Sequence, residues 1–242
     1  MNQCLFLAGA AGAIGRRLAP LLVADGWRVV GTTRSDRTAP ILRGMGVEPV
    51  IVDVFEADLL RKTMAQVRPS IVVHQLTDLP PGLDPAKMAE ATMRNARIRD
   101  EGTRSLVSAA VHAGVQRMIA QSIAFAYADG PLPHGEDDPL NLNAEGARGV
   151  SARGVASLER QVLEAPLEGI ILRYGRLYGP GTGFDTASGS GPVHVHAAAR
   201  AAQLAATRGA PGIYNVAEDD GAVSSEKAKR LLDWDAGWRT DQ

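Results

Sequence analysis

Cysteine and lysine are both nearly missing from these 242 residues, and each shortage removes a class of explanation. One cysteine, Cys4, excludes an intrachain disulfide framework and suits a reducing cytoplasm. It sits in the first apolar run, where a small buried core residue is expected. Only Lys62, Lys87, Lys227 and Lys229 are lysines, and the other basic side chains are all arginine. Charge of either sign is not in excess, the formal net charge being −1. That balance gives no electrostatic reason for a nucleic-acid or acidic-membrane partner. No uncharged run approaches the ~18 residues a membrane span needs. The apolar N-terminus has no positive n-region and its arginines follow the apolar stretch, so it does not read as a signal peptide. A soluble cytoplasmic protein is the expectation.

What is present is ordinary for a globular chain: 45% apolar and 22% charged residues, and length for one large domain or a domain with a small lobe. Short apolar runs alternate with longer amphipathic stretches for two-thirds of the length. "QCLFLAG", "WRVVGTTR", "VEPVIVDV", "PSIVVHQL", "VQRMIAQS" and "EGIILRYG" read as six strands. Helices are predicted over about 13–24, over "EADLLRKTMAQV", and from Pro85 to His112 with a stop at Gly114. Strands that are nearly continuous Val, Ile and Leu are buried on both faces, as in a parallel sheet. With helical crossovers between them, they predict a doubly wound α/β fold of the Rossmann type. Beyond residue 175 the loop-rich "GRLYGPGTGFDTASGSGP" precedes a helix, a short strand "GIYNV" and a last helix. The predicted organisation is a dinucleotide-binding domain over 1–175 and a reduced substrate-side lobe over 176–242.

Between the first strand and the first helix stand Gly9, Gly12 and Gly15, with Ala11, Ala13 and Ile14 among them. A phosphate-binding turn must bend sharply, let an anion touch backbone N–H groups and pack helix against strand closely. Glycine removes the Cβ that would obstruct each of these, and the helix N-terminus adds its positive end. The strand–loop–helix context makes this a dinucleotide-binding fingerprint. The residue about 20 positions past the last glycine meets the adenosine ribose in such sites. Here it is Arg34, which pairs with a 2′-phosphate where an acid would accept from a 2′-hydroxyl. Arg37 stands close by, while Asp36 comes two residues late for a ribose acid. The expected cofactor is NADP, with NAD as the alternative.

These features together resemble the extended short-chain dehydrogenase/reductase family, and its NAD-dependent epimerase/dehydratase group in particular, over nearly the whole chain. Gly9-Gly12-Gly15 is similar to the family's glycine motif and Asp53-Val54 to its adenine-contacting pair after the third strand. "VVHQL" (72–76) stands where the family has a segment beside the cofactor, which implies a binding role for Gln75 and Leu76. "ILRYGRLYGPGTG", "HVHAAA" and "SSEKAKRLLDW" resemble further family stretches. The family's hydride chemistry rests on a Tyr-x-x-x-Lys pair with a Ser or Thr. A phenol of pKa near ~10 needs a neighbouring cation to work as an acid–base group at neutral pH, and the lysine provides it. Alignment on Glu159 in "SARGVASLERQV" puts Ser151 at the tyrosine and Val155 at the lysine. Counting back from Tyr127 puts Ile123 at the Ser/Thr position, beside Ser122. The pair is absent, and none of the four lysines is near enough in sequence to restore it.

Tyr174 replaces the proline of the family's "LRP" and is the candidate substitute acid, with Ser122 the adjacent hydroxyl. The alternative is that Tyr174 packs against the nicotinamide. Arg173 points to the opposite face of that strand and need not assist it. His194 and His196 have no third ligand at recognisable spacing, so no metal is expected. Glu90–Arg94, Arg97–Glu101 and Asp100–Arg104 have the spacing of a solvated ion-pair face, and Arg99 stands where the family often places an active-site asparagine. Three readings stay open. One is an NAD(P)-dependent oxidoreductase or epimerase/dehydratase relative acting on a small carbonyl, sugar or polyketide-like substrate. Another is a non-catalytic NADP-binding sensor or scaffold, and the third a non-redox lyase or isomerase on the same fold. The partner expected is a small molecule, in a pocket that is shallow, open or completed by a second subunit in a homodimer.

Overall fold

The computed structural model describes residues 3–240. The first strand, β1 (Cys4–Ala8), is buried at every position, and its side chains alternate between two cores. Leu5 and Leu7 enter one apolar cluster, Cys4, Phe6 and Ala8 the other. A strand apolar on both faces needs cover on both, and helices supply it. In chain order the elements are α1 (Gly15–Ala24), β2 (Arg28–Thr33), α2 (Ala39–Gly44), β3 (Glu48–Ile51), α3 (Ala57–Val67) and β4 (Ile71–His74). Then come α4 (Met88–Arg97), α5 (Thr103–His112), β5 (Arg117–Ile123), α6 (Gly146–Leu163) and β6 (Glu168–Tyr174). The chain finishes with β7 (Arg176–Tyr178), β8 (Pro192–His194), α7 (Val195–Ala205), β9 (Gly212–Val216) and α8 (Glu226–Leu232).

The main sheet has seven parallel strands in the order β3-β2-β1-β4-β5-β6-β9. The order reverses between β1 and β4, which is where a doubly wound sheet opens a crevice beyond its strand ends. The glycine loop follows β1 at that point. No helix among the described residues is long and apolar enough to cross a membrane.

Two details go beyond the sequence reading. The stretch 85–112 is not one α-helix: a π-turn over Ile98–Gly102 joins α4 to α5. Such turns insert an extra residue and re-aim the side chains around them. The three ion pairs expected along this stretch form, at 2.6–3.0 Å. The C-terminal residues pack onto the main body. β9 extends the sheet beyond β6, and α7 packs on α1. Trp234 donates its indole N–H to the Ala197 carbonyl at 2.8 Å. The Gly- and Pro-rich composition after residue 175 belongs to the loop between β7 and β8, which pair as a small separate ribbon.

Candidate functional site

Gly9 takes a φ of +91°, and a Cβ there would lie 2.5 Å from the Gln75 carbonyl oxygen. Gly15 is packed differently: its Cβ would run into the Gly9 and Ala10 carbonyls, so it closes α1 against the loop and does not line a cavity. Gly12 N–H donates to the Gly9 carbonyl at 3.0 Å, tightening the turn. The amides of Ala11, Ala13 and Ile14 have no backbone acceptor among the described residues, as an anion cradle at a helix N-terminus requires.

Two connected cavities open here. The smaller, about 380 Å³, runs from Gly9 past the end of β2 to Asp53 and Val54, with Arg34 on its rim and Leu76 on its wall. The Asp53 carboxylate accepts from Phe55 N–H at 3.0 Å, which fixes the turn after β3. The Thr33 hydroxyl donates to the Ser35 carbonyl and accepts from the Ser35 N–H, both at 3.2 Å, in a second tight turn. Arg34 is exposed and makes no salt bridge among the described residues, while Asp36 does not line the cavity. The larger cavity, about 990 Å³, continues past Ala13 and Ile14 to Tyr174, Arg99 and Ser151. Its volume is that of a small-molecule site. The cations on its wall are all arginines.

Gln75 lines both cavities and is only 4% exposed. Its amide donates to the Tyr174 hydroxyl at 3.3 Å, but its Oε1 is buried with no partner. A buried acceptor without a donor costs about 1–3 kcal/mol, and a donor on a bound dinucleotide would relieve that. Open amides, glycine-shaped space and this orphaned acceptor fit a dinucleotide. The loop bearing Gln75 is held by His74, whose Nδ1 accepts from Leu76 N–H at 3.2 Å and whose Nε2 meets the Thr103 hydroxyl at 3.1 Å. Burial, and then the charge of Arg99, lower the His74 pKa to about 4, so it is neutral in this role.

The two candidate acids part company. Tyr174 lines the larger cavity, but burial raises its pKa above the ordinary phenol value and no cation bonds its oxygen. Ser122 lies outside both cavities and donates to Glu159 Oε1 at 2.7 Å. Glu159 takes two further bonds from Arg173, at 2.8 and 2.7 Å, and this pair is buried. Arg173 Nη1 also donates to the Tyr127 hydroxyl at 2.9 Å, which donates on to Asn215 at 2.6 Å. Burial would lower the Arg173 pKa, but the bonds to Glu159 outweigh it and raise it. Ser122 is therefore part of a structural network behind β5 and β6, and Arg173 indeed turns away from Tyr174.

Of the two residues that the sequence alignment set against the family's pair, Val155 is core and Ser151 faces the larger cavity. Arg99 reaches across from the π-turn, its Nη1 2.9 Å from Ser151 Oγ. The sequence offered Arg99 only as a substitution, since its partner is 52 residues away. Phe125, Phe184 and Arg176 also line the cavity without having been anticipated; each lies in a loop or short strand where periodicity carries no signal. His194 and His196 stack edge-on at 4.7 Å, and no cluster able to hold a metal occurs among the described residues.

A model of the NAD dependent epimerase/dehydratase family matches residues 5–208. The 3-diazoavenalumate denitrifying reductase of a Streptomyces species is 36% identical over 243 residues, covering 92% of this chain and 78% of the relative. Among solved structures, the UDP-glucose 4-epimerase of Thermotoga maritima with UDP-glucose superposes with a TM-score of 0.77 at 17% identity, covering 97% of this chain and 94% of that one. The Bordetella bronchiseptica enzyme WbmH in complex with NAD+ gives 0.70 at 21% identity, covering 96% and 79%. Strand order, glycine cradle and sequence match agree, and the chain belongs to the NAD-dependent epimerase/dehydratase family.

Proposed function

We propose that this protein is an NADPH-dependent reductase whose substrate accepts hydride without needing a proton from a tyrosine–lysine pair. The observation that supports this reading is that Ser151, which the alignment on Glu159 sets at the tyrosine, lines the larger cavity while Val155 is buried in the core, beside a glycine loop whose free amides fit a dinucleotide. A site built to reduce an ordinary ketone must protonate the oxygen that forms. Here the one phenol on the larger cavity is held protonated by burial, with no cation bonded to it. The arrangement suits a substrate that is already strongly electron-poor.

An aromatic diazonium is such a substrate, and the name of the 36% identical relative, a denitrifying reductase of a diazo compound, supports this class. When bound, a reduced nicotinamide supplies a hydride. The balance closes without a proton: the carbon–nitrogen bond breaks with its electron pair leaving on N2, and the hydride pair forms the new carbon–hydrogen bond. The arene is reduced and the cofactor oxidised. The chain's own part is to bind and orient. The Ala11, Ala13 and Ile14 amides would hold the phosphates, Gln75 would offer its free oxygen, and Arg34, with no salt bridge among the described residues, would pair with a 2′-phosphate, which favours NADP.

The test begins with calorimetric titration of NADPH, NADP, NADH and NAD. The NADPH-loaded protein is then mixed with benzenediazonium carboxylates, using cofactor deuterated at the transferred position. Tight NADPH binding and deuterium on the carbon that bore nitrogen, above the protein-free rate, are expected. Binding without consumption of cofactor, for diazonium and carbonyl compounds alike, would make the chain a sensor or scaffold. No binding of any of the four removes the oxidoreductase reading.

A further inference from the structure

Arg99 is a guanidinium without a carboxylate. Its bonds go to Ser151, to Oγ at 2.9 Å and to the carbonyl at 3.5 Å, and its other N–H groups have no protein acceptor among the described residues. Glu159, the acid whose charge it feels, has both oxygens taken by Arg173 and Ser122. Asp78, the acid on the cavity wall, is held by Arg94 at 3.1 Å. Burial lowers the Arg99 pKa to about 10 although Glu159 pulls the other way, so the group stays charged at neutral pH and lacks a counter-anion. An arginine facing a cavity in this condition presents a planar fork suited to an anionic oxygen.

The wall around it adds a second requirement. The Arg176 guanidinium lies 4.7 Å over the Phe125 ring, and Phe125 and Phe184 are 45% and 48% exposed although both line the cavity. Large aromatic side chains left half-open at a cavity wall suit a flat apolar body. The other wall arginines, Arg16, Arg17 and Arg34, stand at or beyond the glycine loop, the end given above to the cofactor. Arg99 is thus left for the substrate.

We propose that Arg99 and Ser151 form an oxyanion subsite that receives a carboxylate or phenolate oxygen of an aromatic substrate, its ring walled by Phe125 and Arg176. The proposal rests on the reductase reading for its substrate but not for its geometry.

The experiment titrates benzoate and 4-nitrophenol, with benzamide and nitrobenzene as neutral counterparts, into the full chain with and without NADP. Anions should bind about tenfold or more tightly than their neutral counterparts. Bound 4-nitrophenol should ionise at lower pH than free, seen in its absorption. Arg99→Met should abolish the preference and the ionisation shift, Arg99→Lys should keep part of both, and Ser151→Ala should weaken them severalfold. A preference for benzoate alone assigns a carboxylate, and one for nitrophenolate alone a phenolate. Neutral compounds binding as tightly as the anions would overturn the subsite. So would an unchanged preference in Arg99→Met, or, if that variant does not fold, in Arg99→Lys and Ser151→Ala together. Failure of the reductase reading shows separately, as absent cofactor binding or consumption, while the cofactor-free titrations still report on Arg99.

Discussion

Arg34 and His74 show how single side chains serve the site from opposite situations, one open to solvent and one sealed. Arg34 faces the smaller cavity and forms no salt bridge among the described residues. Arg34→Ala should weaken NADPH by about tenfold to a hundredfold, from the ~1.5–3 kcal/mol of hydrogen bonds to a charged group. NADH should change little, and paired calorimetric titrations measure the difference. His74 works by staying neutral. The unfolded chain takes up a proton near pH 6.5 and the native protein only near pH 4, so the unfolded state binds more protons between these values. Stability should therefore fall by about 3 kcal/mol as pH drops from 6.5 to 4. Urea midpoints across that range should fall less steeply in His74→Gln than in the parent. The glycine at position 9 was readable because a sharp turn between strand and helix leaves so few alternatives there. The Arg99–Ser151 bond was not, because it depends on how two helices cross.

That crossing is set by elements. The π-turn carries Arg99, and α6 carries Ser151; without the turn, a regular helix through residues 98–102 would rotate every later side chain. A 3.6-residue apolar pattern cannot reveal one inserted residue, so the sequence predicted an uninterrupted helix. α6 is itself pinned from behind by the Glu159–Arg173 pair, which ties it to β6. Removing one member of a buried pair strands the other, at a cost of about 3–5 kcal/mol. Arg173→Met should lose that amount in denaturant unfolding, and the double change Glu159→Leu with Arg173→Met should recover most of it. Ser122 belongs to this clamp, and its role was hidden because a hydroxyl near an active-site position looks the same in sequence whether it faces the cavity or the core.

Over the whole molecule, six strands and the crossover pattern were legible because a doubly covered parallel strand has to be apolar throughout. Where the tail's strand pairs was not legible, because composition records exposure of a loop and not where the next strand goes. β9 pairs along β6, and Trp27 and Trp234 share one core cluster although they come from opposite ends of the chain. Unfolding should accordingly be a single transition, with far-UV circular dichroism and tryptophan fluorescence superimposing. A tail folding on its own core would separate the two curves.

The shortage of lysine has one more effect. Among the described residues neither cavity is lined by a lysine, cysteine or histidine side chain, so none of these offers an amine, thiol or imidazole to whatever is held there. Arginine binds anions without giving up its proton, and the Tyr174 phenol keeps its own. Diazonium ions and reactive carbonyls attack amines, thiols and phenolates readily. If the proposed substrate class is right, the cavity is inert toward such contents, and the intact mass of the protein should be unchanged after incubation with NADPH and a benzenediazonium carboxylate.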